Sequence, residues 1–441
     1  MISLHDRLAD LAEDGPDGPP TSDVWERGRR YGRRRRVEAA ALVLVLLAAG
    51  GSLLGALLPA MSYDVGPADA DAALRLPDRL YAPSPWLRGT DDVGQIGPLV
   101  AVVEAERKSW TGSRTALAGV SSGGEYAFLD LPGLPGTRGQ DVGTEIALSD
   151  DGRLLAYPLT GTPEGEPNLM DGAALVGVAV YDTVSGEVTR HRVRTEHGIG
   201  VAGLAWVEGT LWMNYGQWDQ GADESTDSGS GSDYRVYAWE PGREPRRIAG
   251  PLANRMPEVS GPGLVTVSAR RMSVFDHGGS RLRDLRLNLA SETSPVLNAS
   301  GTRVALLEDP DGDPSVRTDD ASSLRSGVVP AGTDIEVMTE RVGDVTADEL
   351  WGWRDDWHVL VRDYGRNALL SVDVNTGAEE RLVLMSEGAS PVLARDALAA
   401  PVFDAPEPPY VMDLRLRASL VVLAALLGLG GLVLWRRRGR A

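Results

Sequence analysis

One motif in this 441-residue sequence has the residue types of a catalytic nucleophile. Gly119-Val-Ser121-Ser-Gly123 matches the Gly-x-Ser-x-Gly pattern, in which a serine is exposed on a turn between a strand and a helix. Here the motif lies between two apolar strands in a glycine-rich stretch, which favours a hairpin turn. We therefore expect Ser121 to be a structural residue, and the sequence predicts no catalytic residue.

The patterns that could bind a metal ion are weak. Asp309, Asp311 and Asp313 alternate as calcium ligands do, but the glycine of this loop falls fourth rather than sixth. Four histidines of the central region have no recognised metal spacing: His191, His197, His277 and His358. There is no cysteine, so disulfides, thiolate ligands and cysteine nucleophiles are excluded. The sequence predicts neither a metal site nor a cofactor.

Acidic pairs and tryptophans are the remaining candidates for a binding face. Asp150-Asp151 and Asp355-Asp356 stand in predicted tight turns that could line one face of the protein. Glycosidase chemistry would require two carboxyl groups at a set separation. Most tryptophans are expected in the core. Trp351 and Trp353 are predicted on one side of a strand, and they are the residues that we predict to face a ligand.

Two turn signatures alternate between residues 97 and 403. The first is a tight acidic or glycine turn followed by an apolar strand, with copies at 147–157, 204–212, 259–267, 296–306, 351–361 and 392–398. The second is a strand that ends in aspartate before a glycine turn, as at 180–187 and 372–379. The period averages about 49 residues, and a four-stranded unit of that length is typical of a β-propeller blade.

The number of blades depends on how the ends of the repeat region are counted. Residues 93–103 resemble a seventh inner hairpin, so the pattern favours seven blades, with six as the alternative. Residues 73–81 could supply an outer strand that closes the ring and holds both ends of the propeller together. The expected fold class is therefore mainly β, a β-propeller flanked by two transmembrane helices.

These repeats resemble the WD40-like and TolB-like (PD40-type) propeller repeats over most of residues 75–405. They depart from true WD40 repeats, because no Gly-His precedes each unit and Trp218-Asp219 does not close a strand. The whole layout resembles actinobacterial membrane-anchored proteins with an arginine-rich leader. The resemblance implies a propeller and assigns neither a function nor a ligand.

Two apolar stretches predict the membrane topology. Residues 39–58 contain no charged residue and could span about 30 Å as a helix, and residues 418–435 form a second run. Arginine clusters lie before the first stretch, at 29–36, and after the second, at 436–440. Because such clusters stay on the cytoplasmic side, both termini are expected in the cytoplasm and the central region outside, at the plasma membrane.

The charge distribution limits the partners. The net charge is −19 overall, and residues 61–413 alone carry a net −25, which disfavours nucleic-acid binding. Leucines near the N-terminus recur at helical spacing, so residues 1–36 could bind a cytosolic partner. The expected partners are thus the membrane, a protein outside the cell and this cytosolic one.

The sequence accordingly divides into seven segments: a cytoplasmic tail (1–36), a transmembrane helix (37–60), a linker (61–74), the propeller (75–405), a second linker (406–417), a second transmembrane helix (418–435) and a basic tail (436–441). We expect a non-catalytic, membrane-tethered interaction or sensing module, which could be linked to cytoplasmic signalling. The alternative is an extracytoplasmic hydrolase or lyase that acts on carbohydrate at the mouth of the propeller.

Overall fold

The structure, a computed structural model, describes residues 73–411 except 136–145, 170–172, 222–232, 269, 292, 309–321 and 388–389, together with scattered residues between 413 and 431. Residues 64–411 form one compact unit, and residues 1–63 and 412–441 are grouped in a second unit. The predicted calcium loop and the N-terminal tail lie outside the described residues.

Short strands dominate the unit formed by residues 64–411. The strands up to residue 217 are β1 (Leu76–Pro77), β2 (Arg79–Leu80), β3 (Leu99–Lys108), β4 (Ser113–Ser121), β5 (Tyr126–Phe128), β6 (Ala147–Leu148), β7 (Leu154–Thr160), β8 (Leu175–Asp182), β9 (Val188–Arg192), β10 (Ile199–Val207) and β11 (Thr210–Gln217). Those from 235 to 328 are β12 (Arg235–Trp239), β13 (Arg246–Arg247), β14 (Glu258–Ser260), β15 (Gly263–Ser268), β16 (Arg271–Phe275), β17 (Arg281–Leu287), β18 (Val296–Leu297), β19 (Arg303–Leu307) and β20 (Ser322–Val328). The remainder are β21 (Asp334–Val337), β22 (Glu340–Ala347), β23 (Glu349–Trp353), β24 (His358–Asp363), β25 (Ala368–Asp373), β26 (Glu379–Met385), β27 (Val392–Leu393) and β28 (Val402–Phe403). Two short α-helices, α1 (Thr90–Val93) and α2 (Arg395–Leu398), and a 3₁₀ helix at Gly250–Leu252 accompany them.

Six sheets of four or five strands make up a six-bladed β-propeller. Blades 2 to 6 each begin a new sheet along the chain, with β6, β10, β14, β18 and β23 as their first strands. Within each blade the four main strands are antiparallel neighbours. Two blades carry a fifth strand in parallel pairing, β21 on blade 4 and β2 on blade 6. The fold is mainly β, as the sequence predicted.

Blade 1 is built from both ends of the repeat region. Its first strand is β27, which pairs with β3 so that Leu393 lies opposite Ala101 and Val392 lies opposite Val102. Residues 93–103 and 392–398, which the sequence analysis counted as two hairpins, therefore belong to one blade. The prediction of seven blades was wrong for this reason, and the alternative of six is confirmed.

The two ends of the propeller also contact each other outside blade 1. Strand β2 adds to the edge of blade 6 through β26, so the expectation of an outer strand within residues 73–81 is confirmed. Strand β1 pairs in parallel with β28, with hydrogen bonds from Leu76 N to Pro401 O (3.0 Å) and from Asp78 N to Phe403 O (2.8 Å). These contacts cover the outer strand of blade 6 and join the two ends of the propeller.

Apolar side chains from adjacent blades pack into shared cores. One such cluster joins blades 2 and 3, another blades 3 and 4, and others follow between blades 4 and 5 and between blades 5 and 6. A tryptophan joins the first strands of neighbouring blades at two of these joints. The Trp206 indole donates to Ala147 O (3.0 Å), and the Trp353 indole donates to Val296 O (3.1 Å).

The described residues include no helix that is both long and apolar enough to cross a membrane. The predicted helix at 37–60 lies wholly outside the described residues, and most of the stretch at 418–435 does as well.

Candidate functional site

The first turn of each blade brings polar side chains to one face of the propeller. Because neighbouring strands are antiparallel, the turns after first and third strands lie on one face, and the turns after second strands lie on the other. We call these the rim face and the opposite face. The inner rim comprises the turns between first and second strands, at 149–153, 208–209, 261–262, 298–302 and 354–357, together with helix α2 of blade 1.

Asp150, in the first turn of blade 2, lies beside helix α2 of blade 1. Burial raises the pKa of its carboxyl group. The Arg395 guanidinium, 3.7 Å away, opposes this rise, and the charges of Asp396 and Asp151 add to it. Asp396 N also donates to Asp150 O (3.0 Å), so blades 1 and 2 hold these carboxyl groups close together. A crowded, half-buried group of acids of this kind attracts cations.

The rim continues through a contact between blades 3 and 4. Glu208 occupies the turn between β10 and β11 with a φ of 46°, and its Oε1 lies 2.7 Å from Nδ1 of His277. His277 belongs to the turn between β16 and β17, which is on the same face. A protonated His277 also lowers the pKa of Asp150.

On blade 5 the rim is held by Asn298, which is fully buried. Its side-chain nitrogen donates to Asp356 Oδ1 and to Ser300 Oγ, both at 2.9 Å. Its oxygen accepts from the backbone N–H groups of Thr302 and Arg303, also at 2.9 Å. Asp356 of blade 6 is therefore anchored across the joint between two blades.

Blade 6 adds an exposed aromatic ring to the rim. Trp357 is 47% exposed, and the Arg303 guanidinium carbon lies 4.0 Å from the centre of its indole ring. Asp355 accepts from the backbone N–H groups of Trp357 and His358, each at 2.8 Å, and from Nδ1 of His358. Although partial burial acts against it, these bonds hold the pKa of Asp355 below its usual value. Asp355 and His358 are thus tied to each other within the turn.

The structure places the two predicted ligand-facing tryptophans in different surroundings. Trp351 is the extra residue of a β-bulge in β23, which interrupts the alternation that would put both indoles on one side of the strand. Its indole donates to Glu349 Oε2 (2.9 Å), and Glu349 Oε1 accepts from the Tyr364 hydroxyl (2.5 Å). Trp353 packs against the core between blades 5 and 6. A ligand-facing role for either residue stays a prediction.

The other residues considered for chemistry are engaged in local structure. Ser121 is the last residue of β4, where its hydroxyl donates to Glu125 Oε2 (3.0 Å) and accepts from two backbone N–H groups of the following turn. Burial lowers the pKa of His191, whose ring lies 5.7 Å from that of Trp239. His197 Nδ1 lies 2.7 Å from Glu166 O. Within the described part of the chain, no three acidic or histidine side chains are grouped so as to hold a metal ion.

Sequence reasoning found the acidic turns but missed the contacts that assemble them. The pairs Arg395–Asp150 and His277–Glu208 join residues of different blades. Asp150 and Glu208 recur in the first turns of their blades, but Arg395 lies in a helix and His277 in the turn after a third strand, so the repeat spacing does not predict these pairs.

Comparisons with known proteins do not identify the chain. No protein-family model matches it, and no curated protein is significantly similar. A chain of the nidogen/laminin complex is 11% identical, with 67% of this chain and 99% of that chain covered and a TM-score of 0.35. The β-propeller domain of Myceliophteria thermophila Cps50 (Swd1) is 13% identical, covering 61% and 82%, with a TM-score of 0.32. Citrobacter koseri AztD is also 13% identical, covering 66% and 73%, with a TM-score of 0.33. The six-bladed propeller is assigned from the strand pairing of this chain and not from these comparisons.

Proposed function

We propose that this chain is a membrane-tethered, extracytoplasmic propeller that acts as a non-catalytic interaction or sensing module through its rim face. Residues 37–60 and 418–435 are the proposed membrane spans, with both termini in the cytoplasm. The arginine clusters outside each apolar stretch support this orientation. A cytosolic partner of residues 1–36 and the TolB-like type of the repeats stay predictions.

The two ends of the propeller run side by side at its closure, which supports a tether at both ends. Strand β1 pairs in parallel with β28, and the Ser84 hydroxyl donates to Val411 O (3.2 Å) and accepts from Val411 N (3.3 Å). The two proposed spans therefore continue from segments on one side of the ring, so both can enter the membrane without opening it.

The observation that carries the interaction function is the charge of the inner rim. Four of the six blades contribute carboxylates to it, and an exposed tryptophan stands beside them. The raised pKa of Asp150 reflects its burial and its crowding by other acids. Such a surface fits a protein partner that presents lysine or arginine side chains, with an aromatic ring available for a cation–π contact.

Photo-crosslinking in intact cells tests the binding face. A benzophenone amino acid at Trp357 should give a discrete adduct that is lost in the Asp150→Asn, Asp396→Asn double variant. The matched control, Glu340→Gln with Asp344→Asn, neutralises two exposed acids of β22 and should keep the adduct. The same probe at Trp110, on the opposite face, should not give that adduct. An adduct that is insensitive to the rim substitutions would contradict the proposed face.

The tether is tested separately by cysteine labelling, for which the cysteine-free chain gives no background. A membrane-impermeant maleimide should label Ser185→Cys, an exposed turn residue of blade 2, in intact cells. It should label Ser3→Cys only after permeabilisation. The reverse pattern would refute the proposed topology.

One observation favours a second candidate function, that of a hydrolase or lyase that cleaves an extracellular carbohydrate. An acid with a raised pKa beside a second carboxylate is the arrangement that glycoside hydrolysis uses, and Asp150 lies beside Asp396. Turnover of cell-wall polysaccharide that is abolished by Asp150→Asn would establish this activity in place of the binding role.

A further inference from the structure

The opposite face of blade 4 contains an arginine-lined concavity of about 460 Å³. The turn between β15 and β16 contributes Arg270 and Arg271, and the end of β17 contributes Arg286 and Asn288. Among the described residues of the lining, Glu336 of β21 is the one acid. Strand β21 lies in sequence between two strands of blade 5 but pairs with blade 4 as its fifth strand. It thus completes the wall of the concavity.

The charges of the concavity are only partly compensated. Arg286 donates to Asp334 Oδ2 (2.5 Å). Arg270 and Arg271 are exposed and form no ion pair with any residue in the described part of the chain. Residues 243–286 contain nine arginines and four acidic residues, whereas residues 61–413 together carry a net −25. The arginines therefore form a local positive site on an acidic protein.

The chemistry of the lining fits a phosphate group. Guanidinium groups donate two parallel hydrogen bonds to phosphate oxygens, and their charge does not depend on pH in the physiological range. The side-chain amide of Asn288 is fixed by its bonds with Thr339, because its oxygen accepts from Thr339 N (3.0 Å) and from the Thr339 hydroxyl (2.8 Å). The Asn288 side chain is thus held in one arrangement before any ligand binds.

The C-terminal segment of the propeller ends on this same face. Lys108, at the end of β3, donates its backbone N–H to Pro85 O (2.7 Å), and the neighbouring Ser84 is bonded to Val411. Val411 therefore lies at the opposite-face end of blade 1. Six residues separate it from Ala418, where the second apolar stretch begins, a distance of at most about 25 Å when fully extended.

Exposed aromatic side chains lie where the chain leaves. Trp110, in the turn between β3 and β4, is 60% exposed, and Tyr410 is 81% exposed. Tryptophan and tyrosine are the residues that collect at the boundary between lipid and water. Blade 1 thus has interfacial residues on the face where blade 4 has its arginines.

We propose that the opposite face rests on the lipid headgroups and that the concavity of blade 4 binds the phosphate of an anionic phospholipid. The inference rests on the proposed membrane tether. It extends that function by fixing how the propeller is held, with the rim face turned away from the bilayer toward a partner.

The test uses the full chain in lipid nanodiscs, with an environment-sensitive fluorophore on Ser268→Cys, an exposed position in the lining. Emission should shift to the blue in discs that contain phosphatidylglycerol relative to discs of phosphatidylcholine alone. The shift should be lost in the Arg270→Gln, Arg271→Gln variant. Arg246→Gln with Arg247→Gln removes the same charge from the exposed strand β13 and should keep it.

The outcomes distinguish a failure of the lipid site from a failure of the membrane tether. Equal emission in both kinds of disc overturns the inference. A response to inorganic phosphate in phosphatidylcholine discs as large as the response to phosphatidylglycerol would assign the site to a soluble phosphate ligand and also overturn it. A chain that fails to copurify with the discs overturns the tether, and this inference with it, whereas the crosslinking test of the rim is unaffected.

Discussion

Replacing Gly152 with alanine is expected to open the joint between blades 1 and 2. Gly152 stands in the turn between β6 and β7 with a φ of 72°. Its carbonyl accepts from Leu99 N and from the Thr183 hydroxyl, both at 2.9 Å. A Cβ atom here would lie 1.9 Å from Leu99 O, which is backbone and cannot rotate away.

Gly209 provides the matched control, because it occupies the equivalent turn of blade 3 with a φ of 76° and open space around the Cβ position. Both substitutions should incur the backbone penalty of about 1–2 kcal/mol for a left-handed residue. Gly152→Ala should also lose part of two hydrogen bonds, about 1 kcal/mol each. Overpacking adds about 1–3 kcal/mol. We expect a loss of about 3–6 kcal/mol for Gly152→Ala and about 1–2 kcal/mol for Gly209→Ala.

Urea unfolding of the purified chain, followed by tryptophan fluorescence, measures both losses against the same parent. The difference between the two variants isolates the contact between blades, because the conformational penalty is common to them. Equal losses would refute the close approach of Gly152 to Leu99, and with it the packing of blade 1 against blade 2.

Three further predictions concern single side chains. Trp353→Phe leaves Val296 O without its donor in a joint between blades, so it should lower the free energy of unfolding in urea by about 1–2 kcal/mol, more than Trp351→Phe, whose indole bonds within its own strand. The raised pKa of Asp150 means that the folded state binds its proton more tightly than the unfolded state, so Asp150→Asn should be more stable than the parent at pH 7. That advantage should shrink as the pH falls through the raised pKa toward 3.8, and thermal denaturation across this range would refute the sign if the advantage grew instead. Asp355→Asn should behave oppositely: the lowered pKa of Asp355 stabilises the fold above its ordinary value of 3.8, so the deficit of the variant at pH 7 should fade at more acidic pH.

The fold class could be predicted because its strongest signals are local. In the second turn signature, Asp182 Oδ1 accepts from Val184 N (2.8 Å) and Ser185 N (2.9 Å), and Asp373 Oδ1 accepts from Asn375 N (2.8 Å). A side chain that fixes its own turn leaves a mark in the sequence at a constant spacing. Each repeat could therefore be predicted from the residues of its own blade.

The features that the sequence analysis missed depend on residues far apart in the chain. The pairing of Leu393 with Ala101 joins strands from opposite ends of the propeller, and no local pattern distinguishes it from two separate hairpins. The bulge at Trp351 likewise breaks the alternation from which its orientation was predicted. At the rim, the contact of Asp150 with Arg395 depends on the same closure of the ring. The wrong blade count and the missed contacts of the rim therefore have the same cause.

An engineered disulfide across the closing strands tests the ring most directly. Leu393→Cys and Ala101→Cys lie opposite each other in an antiparallel pair, where Cα atoms are about 4.5–5.5 Å apart, within the range that a disulfide spans. Because the chain has no other cysteine, peptide mapping after oxidation should find residues 101 and 393 linked, while Ala101→Cys with Leu297→Cys of blade 5 should remain unlinked. Two free thiols in a folded Leu393→Cys, Ala101→Cys protein would contradict a ring closed by both ends of the chain.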